Sequence, residues 1–478
     1  MSALPGDFPY TRGIGAEMYR DDAWAMVQQA GAGLPEDGNR RLLDAIANGA
    51  TMLAVWPDRP GAKGWDADDP QSAASVGLGG ISLNHAGDFQ QLLTGVDPSI
   101  PLFLRARETA APLLAFHLVA ARQAGLHPAR LRGVIGNDVL CSRLSSAGIF
   151  PARASMRLAG EVSVWIAREL PGWTVLTIDG SAVRAAGASP ALEIAISVAA
   201  FLEYVVPAAA RGIAVEDLAP RTQFALSAGM RFLEEAAKFR AARRLFATVL
   251  KYRLGVEAAR AMALRIHADT VVQSLATEQT DVNVIRASVQ TLAALLGGVQ
   301  SLYTGSREEA IAPPQDDSAR LALRTQQIAR HESGVALTAD PAGGSYFLEQ
   351  ETDRIEADAR EELRAIEAEG GLVGSLESGQ LAARLHHEIQ PAIVGVTQFV
   401  MTESTALEAP AADPAKEKTQ TERLRDWRAS RSEAECQAAL IEVERAALGA
   451  DPLMPPILAA AAHATLGEIT ARLRAVLI

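Results

Sequence analysis

Few residues could do chemistry in the stretch LTIDGSAVRAAG, from Leu176 to Gly187. Its apolar start and the break at Gly180 predict a buried strand that turns toward a helix. In a β/α barrel, the carboxyl end of such a strand is where catalytic groups are placed. Here that end offers Ser181 and Ala182, with no base, acid or aromatic ring directly after the glycine. The sequence therefore predicts little catalytic capacity at this strand end.

An acidic cluster is a second group to consider, because carboxylates bind divalent cations. It comprises Asp58, Asp66, Asp68 and Asp69 in PDRPGAKGWDADDP, residues 57–70. It has neither histidine ligands nor a recognised ligand spacing, so we expect no metal site.

Composition and charge exclude several classes of protein. The 478 residues are 49% hydrophobic, and the formal net charge of −12 argues against a nucleic-acid-binding surface. Cys141 and Cys436 are far apart in sequence, which predicts two reduced thiols in a cytoplasmic protein. The N-terminus lacks a signal-peptide pattern. The most apolar stretch, 191–210, contains two glutamates and a proline, so it predicts a buried helix and not a membrane span.

Strand-like apolar runs alternate with helical patterns from about residue 41 to residue 345. This alternation predicts βαβ units and a parallel sheet, and roughly eight units favour an α/β fold of the (β/α)8 TIM-barrel type. A doubly wound open sheet is the alternative, although the sequence has no glycine-rich dinucleotide or phosphate loop to support it. The predicted strands are 52–56, 101–104, 133–135, 174–178, 223–226, 263–267 and 299–303, and the main predicted helices are 112–125, 190–206, 229–250 and 281–297.

The flanking segments divide the chain further. We expect an N-terminal arm at 1–40, with a short helix at about 16–30, and a barrel with appended helices at 41–405. Polar, proline-containing sequence predicts a surface linker at 406–422, followed by a C-terminal helical extension at 423–478.

A set of motifs, in order along nearly the whole chain, resembles the acyl-CoA mutase family, with methylmalonyl-CoA mutase as the nearest member. The resemblance implies a (β/α)8 barrel that binds a CoA substrate along its axis, dimerises through its N-terminal arm and works with adenosylcobalamin. The motifs are FPYTRG (8–13), MYR (18–20), GND (136–138), SMR (155–157), LAPR (218–221), AAKFRAARRL (236–245), LRIH (264–267), QSLYTGSREEAIAPP (300–314), DPAGGSYFLE (340–349) and LMPPILAAAAHATLGEI (453–469).

The resemblance also concerns the cofactor. In active members a flavodoxin-like domain or a partner protein binds cobalamin through an Asp-x-His-x-x-Gly motif. None of the eight histidines of this sequence stands in that pattern. We therefore expect no cobalamin-binding domain and no cofactor bound by this chain, with adenosylcobalamin held by a partner subunit.

Positions that the resemblance assigns to substrate are changed. Ala25, Val27 and Gln29 stand where active members have a threonine, an arginine and a tyrosine. Ser181 and Ala182 stand where a tyrosine–histidine pair is expected, and that histidine donates to the migrating thioester carbonyl.

Further substrate positions also depart from the pattern of active family members. Ser146 stands where an arginine that clamps the substrate carboxylate is expected, and Asp269 replaces a glutamine. Arg105 and Arg107 replace small hydroxyl side chains, and we expect them to fill the barrel by pairing with acidic groups, with phosphate binding as the alternative.

Three family positions are retained. Arg221, His267 and Gln300 are the candidate residual substrate-binding residues, and each of them also fits a purely structural role. No catalytic, cofactor-binding or metal-binding residue is predicted.

These features predict a non-catalytic, structural beta subunit of a heterodimeric methylmalonyl-CoA mutase, paired with a catalytic, cobalamin-binding alpha subunit. One alternative is the substrate-binding subunit of a divergent acyl-CoA mutase that a separate cobalamin protein completes. Another is a scaffold or regulator of the mutase system.

Overall fold

The computed structural model describes residues 4–386, 392–401 and 411–478. Within those residues it contains nine strands, most of them buried on both faces, as is typical of a parallel sheet covered by helices. The strands are β1 Ala25–Gln29, β2 Met52–Val55, β3 Leu102–Arg105, β4 Gly133–Gly136, β5 Trp173–Thr174, β6 Leu176–Asp179, β7 Thr222–Ala228, β8 Arg265–Thr270 and β9 Ser301–Tyr303.

The strands form one sheet in the order β5-β4-β3-β2-β1-β9-β8-β7-β6. Neighbours along the chain are thus neighbours in the sheet, and β1 pairs in parallel with β9 through Ala25 and Ser301. Only Val175 separates β5 from β6, so one run of chain supplies both ends of this order. That is the strand order of a (β/α)8 TIM-type barrel, which confirms the predicted fold class.

The chain divides into two compact units. The first comprises Met1–Val27, Leu140–Ser146 and Ile178–Ala409, and the second comprises Gln28–Val139, Ala147–Thr177 and Pro410–Ile478. The helices of the first unit are α6 Gly180–Ala185, α7 Pro190–Ala210, α8 Val215–Leu218, α9 Phe232–Arg253, α10 Ala259–Met262, α11 Asn283–Leu296, α12 Asp316–His331, α13 Tyr346–Ala368 and α14 Gly371–Ser378. Those of the second are α1 Pro35–Ala47, α2 Arg59–Ala62, α3 Ala86–Leu92, α4 Ala110–Gln123, α5 Ala152–Glu169, α15 Pro414–Ser430, α16 Glu433–Leu448, α17 Met454–Ala460 and α18 Leu466–Leu477.

Helix α7 is the apolar stretch of the sequence. It begins at Pro190, with the side chain of Ser189 accepting a hydrogen bond from the Leu192 N–H. Among the described residues, this helix alone has the length and composition to cross a membrane, and 72% of its most apolar window is buried within the protein. Phe201 packs edge-on against Phe246 of α9 with ring centroids 5.1 Å apart, as expected of a core helix.

The prediction of a short helix at about 16–30 is wrong. Met18–Arg20 forms one 3-10 turn, and Ala25–Gln29 is the strand β1. The two glutamines of AMVQQ interrupt the apolar pattern by which a buried strand is predicted. The strand is identified by its pairing, in which the Ala25 N–H donates to the Gln300 carbonyl at 2.9 Å. Tertiary context decides the conformation of so short a segment.

The described part of the N-terminal arm packs on its own unit. The Tyr10 hydroxyl donates to the Ala259 carbonyl at 3.0 Å, and the Tyr19 hydroxyl donates to the Val299 carbonyl at 2.6 Å. Arg243 donates from Nε to the Tyr10 carbonyl at 2.9 Å. These bonds order the segment that leads into β1.

The C-terminal boundaries differ from the expected ones. Residues 406–410 of the expected linker lie outside the described residues, and α15 begins at Pro414, within the rest of that linker and ahead of the expected helical extension at 423. Asp413 caps that helix by accepting from the Ala415 N–H at 2.9 Å. A break at Arg431–Ser432 separates α15 from α16.

Candidate functional site

Among the candidate residues, His267 lies on a strand whose register is fixed by parallel pairing. His267 of β8 is the register partner of Ala225 in β7 and of Ser301 in β9. Asp269, two residues further on, is the partner of Tyr303. Register partners, and residues two apart in a strand, share a face of the sheet. One face therefore carries this imidazole, carboxylate and phenol.

His267 is held at both ring nitrogens. Its Nδ1 lies 2.9 Å from Oγ of Ser301, and its Nε2 lies 3.0 Å from Oδ1 of Asp269. A carboxylate only accepts hydrogen bonds, so Nε2 carries the proton and Nδ1 accepts from the serine hydroxyl. The imidazole is fully buried. The predicted contact of His267 with substrate stays a prediction. In the structure both ring nitrogens contact side chains of the same sheet.

Ser301, His267 and Asp269, joined by these contacts, are residue types that also make up a nucleophilic triad. Ser301 is only 4% exposed and lies within β9, between β1 and β8. A hydroxyl so enclosed cannot approach a substrate carbonyl without movement of the sheet. The arrangement therefore positions the imidazole and does not present a nucleophile.

Gln300 binds backbone atoms with both ends of its amide. Oε1 accepts from the Ile266 N–H at 2.8 Å, and Nε2 donates to the Gly298 carbonyl at 2.9 Å. Its own carbonyl accepts from the Ala25 N–H. Gln300 thus joins the starts of β1, β8 and β9, which is a structural role.

Arg221 ends a 3-10 turn, Ala219–Arg221, immediately before β7. The side chain is partly exposed, and burial lowers the pKa of its guanidinium. Like Gln300, it lies at the amino end of its strand, whereas barrel enzymes take their catalytic groups from the carboxyl ends. Arg221 and Gln300 are therefore placed away from the expected centre of chemistry.

The carboxyl end of β6 is devoted to starting a helix. Asp179 caps α6 by accepting from the Ala182 N–H at 3.3 Å, and the Ser181 hydroxyl donates to the same carboxylate oxygen at 2.7 Å. A Cβ on Gly180 would lie 2.6 Å from atoms of Leu226 and Ser197, so only glycine fits there. The strand end keeps the glycine turn that leads into α6. The side chains of Ser181 and Ala182 offer no free acid, base or aromatic ring.

A buried charge cluster holds β7 in place, and the sequence analysis did not find it. Lys238 of α9 donates from Nζ to Glu193 at 2.8 Å and to the Ser227 carbonyl at 2.6 Å, and it lies 2.6 Å from Glu235. Glu193 also accepts from the Ser227 N–H at 2.7 Å. All three charged side chains are fully buried. They hold the backbone N–H and carbonyl of Ser227, which is the register partner of Asp269.

Tyr303 and Glu309 form another pair that sequence reasoning missed. The Tyr303 hydroxyl donates to Oε1 of Glu309 at 2.5 Å, and Oε2 accepts from the Ser306 N–H at 2.6 Å. The only signal was a tyrosine six residues before a glutamate in QSLYTGSREE. The pair orders the loop after β9.

Arg105, in the second unit, stacks on aromatic rings. Its guanidinium carbon lies 5.0 Å from the ring centroids of both Trp56 and Phe103, within the range of a cation–π interaction. Neither ring featured in the expectation of pairing with acidic groups. Arg107, two residues on, has a left-handed backbone with φ of 50°.

The acidic cluster of the second unit binds protein groups. Asp58 accepts from the N–H groups of Gly61 at 2.9 Å and Gly77 at 2.8 Å, and burial raises its pKa to about 6. Asp66 pairs with Arg428 at 2.8 Å. Within 4–386, 392–401 and 411–478, no group of three or more His, Cys, Asp or Glu side chains could hold a metal ion.

Three of the sequence motifs meet in one charge cluster of the first unit. Arg12 pairs with Asp340 and Glu349, each at 2.9 Å. Arg240, whose side chain is fully buried, pairs with the same two carboxylates. FPYTRG, AAKFRAARRL and DPAGGSYFLE therefore share an architectural role.

The family is decided by comparison with known proteins. Residues 1–478 match the methylmalonyl-CoA mutase family. The chain belongs to that family. It is 36% identical to the 2-hydroxyisobutanoyl-CoA mutase large subunit of Aquincola tertiaricarbonis, covering 99% of this chain and 87% of that protein. It is 32% identical to the methylmalonyl-CoA mutase large subunit of Streptomyces virginiae, over 100% of this chain and 68% of the relative, and 33% identical to the Escherichia coli methylmalonyl-CoA mutase, over 98% and 67%.

Two of the described histidines make contacts within the protein through their rings. Cobalt ligation by the family's motif needs an accessible histidine, but both nitrogens of His267 are bonded within the sheet. His85 accepts from the Gly87 N–H and stacks on Trp427 with ring centroids 4.6 Å apart. The expectation that a partner subunit holds the cobalamin stays a prediction.

Proposed function

We propose that this chain is the non-catalytic, structural beta subunit of an adenosylcobalamin-dependent methylmalonyl-CoA mutase. The end of β6 carries the proposal. Where the family resemblance expects a tyrosine–histidine pair, Ser181 and Ala182 offer one hydroxyl, and that hydroxyl already donates to Asp179. The developing charge on a thioester carbonyl would find no imidazole donor there.

The retained architecture supports a role in assembly. The motifs that carry the family resemblance form contacts within the fold, such as the pairing of the buried Arg240 with Asp340 and Glu349. A partner of the same fold would meet this chain across a pseudo-symmetric interface and be stabilised by mass action. In this proposal the complex interconverts methylmalonyl-CoA and succinyl-CoA, and the catalytic subunit holds the cofactor.

Two further parts of the proposal concern contact and compartment. The N-terminal arm contacts the partner. Phe8 of the arm also packs on the first unit, edge-on to Tyr252 with ring centroids 6.0 Å apart, so a truncation test must stop before Phe8. We place the complex in the cytoplasm, since Cys141 and Cys436 are both free and buried.

Co-expression with the catalytic, cobalamin-binding mutase subunit of the same organism tests this assignment. The expected result is a 1:1 complex, measured by size-exclusion chromatography with light scattering, whose catalytic subunit has a higher melting temperature than alone. A monomer or homodimer that leaves the catalytic subunit unbound would contradict it.

A second function is favoured by one specific observation. The chain covers 87% of a relative named as a large subunit of 2-hydroxyisobutanoyl-CoA mutase. By analogy, this chain would bind the CoA ester itself, with Arg221, His267 and Gln300 as contacts, and a separate protein would supply cobalamin.

Calorimetric titration of the isolated chain with methylmalonyl-CoA and 2-hydroxyisobutanoyl-CoA separates the two functions. Heat that does not saturate with either ester supports the non-catalytic subunit. Saturable binding that is lost in Arg221→Ala, and kept in the surface control Arg330→Ala, would support the substrate-binding subunit instead.

A further inference from the structure

A cavity of about 410 Å³ lies in the second unit, beside helices α3 and α4. Its volume is within the range of small-molecule sites. The deep lining is apolar and includes Leu53, Phe89, Leu102 and Leu131, all of them buried. Residues 94–97 form part of the lining and are largely exposed. The cavity therefore combines an apolar interior with a polar, solvent-facing rim.

His117 is the polar exception in this interior. It lines the cavity, is 5% exposed, and has an Nδ1 atom without a hydrogen-bond partner. Its ring packs against those of Phe89 and Trp173, with centroids 5.9 Å and 5.6 Å away. A buried polar atom left unpaired is costly, so a histidine at this place calls for a partner.

The charge state of His117 restricts what that partner can be. Burial lowers the pKa of His117 to about 4, so the imidazole is neutral at pH 7. Asp97 and Arg132 also line the cavity, but both are exposed. In the interior, a neutral ring among leucines and a phenylalanine offers no compensation to an anion or a cation. It offers one hydrogen bond and a large apolar surface.

We propose that this cavity binds a small, uncharged, mainly apolar molecule whose single hydrogen-bonding group meets the imidazole of His117. The site is separate from the residues on which the proposed subunit role rests, so either proposal can fail without the other. The ligand class follows from the cavity volume, the apolar lining and the one unpaired nitrogen.

The full chain can be titrated with N-phenyl-1-naphthylamine, a neutral aromatic amine with one N–H donor and fluorescence that increases in apolar surroundings. We expect saturable binding at one site per chain. Ala124, an exposed residue of the lining at the end of α4, tests the location. Ala124→Trp should weaken binding at least about tenfold by closing the cavity, whereas Ala475→Trp on exposed α18 should leave it unchanged.

His117→Phe tests the hydrogen bond. It should weaken binding of N-phenyl-1-naphthylamine about three- to tenfold. Binding of 1-benzylnaphthalene, in which a methylene replaces the N–H, should be unchanged when measured by displacement. No saturable binding, a site that Ala124→Trp does not affect, or equal losses for both probes in His117→Phe would each overturn the proposal.

Discussion

Nε2 of His267 lies 3.0 Å from Oδ1 of Asp269, two residues further along β8. The family resemblance expects a glutamine at the second position, so the aspartate provides an internal acceptor for a retained histidine. This pairing links a position that differs from the family pattern to the stability of the sheet.

Asp269→Ala should lower the free energy of unfolding by about 1–3 kcal/mol, because the buried imidazole N–H loses its acceptor. Asp269→Asn keeps an oxygen at that point and should cost less. Urea unfolding at pH 7 measures both variants. Equal losses in the two variants would show that the carboxylate is not the acceptor that matters.

Lys238 should be among the most sensitive positions of the first unit. Lys238→Met leaves Glu193 buried without its cation and Glu235 with only Arg184, at 3.5 Å, so we expect a loss of about 3–5 kcal/mol in the free energy of unfolding. Lys418→Met removes a lysine that is 75% exposed and should change stability by less than about 0.5 kcal/mol. Similar urea midpoints for the two variants would contradict this account of β7.

Stability should decline in mild acid because of His117. Its pKa is about 4 in the folded chain and 6.5 when unperturbed, so the unfolded chain binds the proton first as the pH falls. The stabilisation is complete above pH 6.5 and is lost progressively toward pH 4, by about 3 kcal/mol for a shift of this size. His117→Phe should lose that much less than the native chain between pH 7 and pH 4 in urea unfolding. Parallel stability curves for the two proteins would refute the assignment.

The sequence predicted the barrel because seven strands are apolar runs that local composition makes visible. It missed β1, since AMVQQ has two glutamines and gains its conformation from pairing with β9. The start of α15 was placed too late, because the charged residues after Pro414 resemble a linker as closely as an exposed helix.

The site was less predictable than the fold. Loss of the tyrosine–histidine pair could be inferred from Ser181 and Ala182, but the use of that hydroxyl on Asp179 needs coordinates. The Lys238 cluster joins α7, α9 and β7, and charges on separate elements give no periodic signal. The cavity at His117 could not be predicted either, because a histidine in a helical apolar run gives no indication of an unfilled space beside it.

The most direct test of the central claim is the turnover of the reconstituted complex after this chain alone receives Arg221→Ala, His267→Ala and Gln300→Ala, with assembly confirmed by sizing. If the chain is non-catalytic, methylmalonyl-CoA turnover per complex stays within about twofold of the native complex. An intact 1:1 complex whose turnover falls tenfold or more, on the order of 1.4 kcal/mol in the barrier, would contradict the claim and assign the chemistry to this barrel.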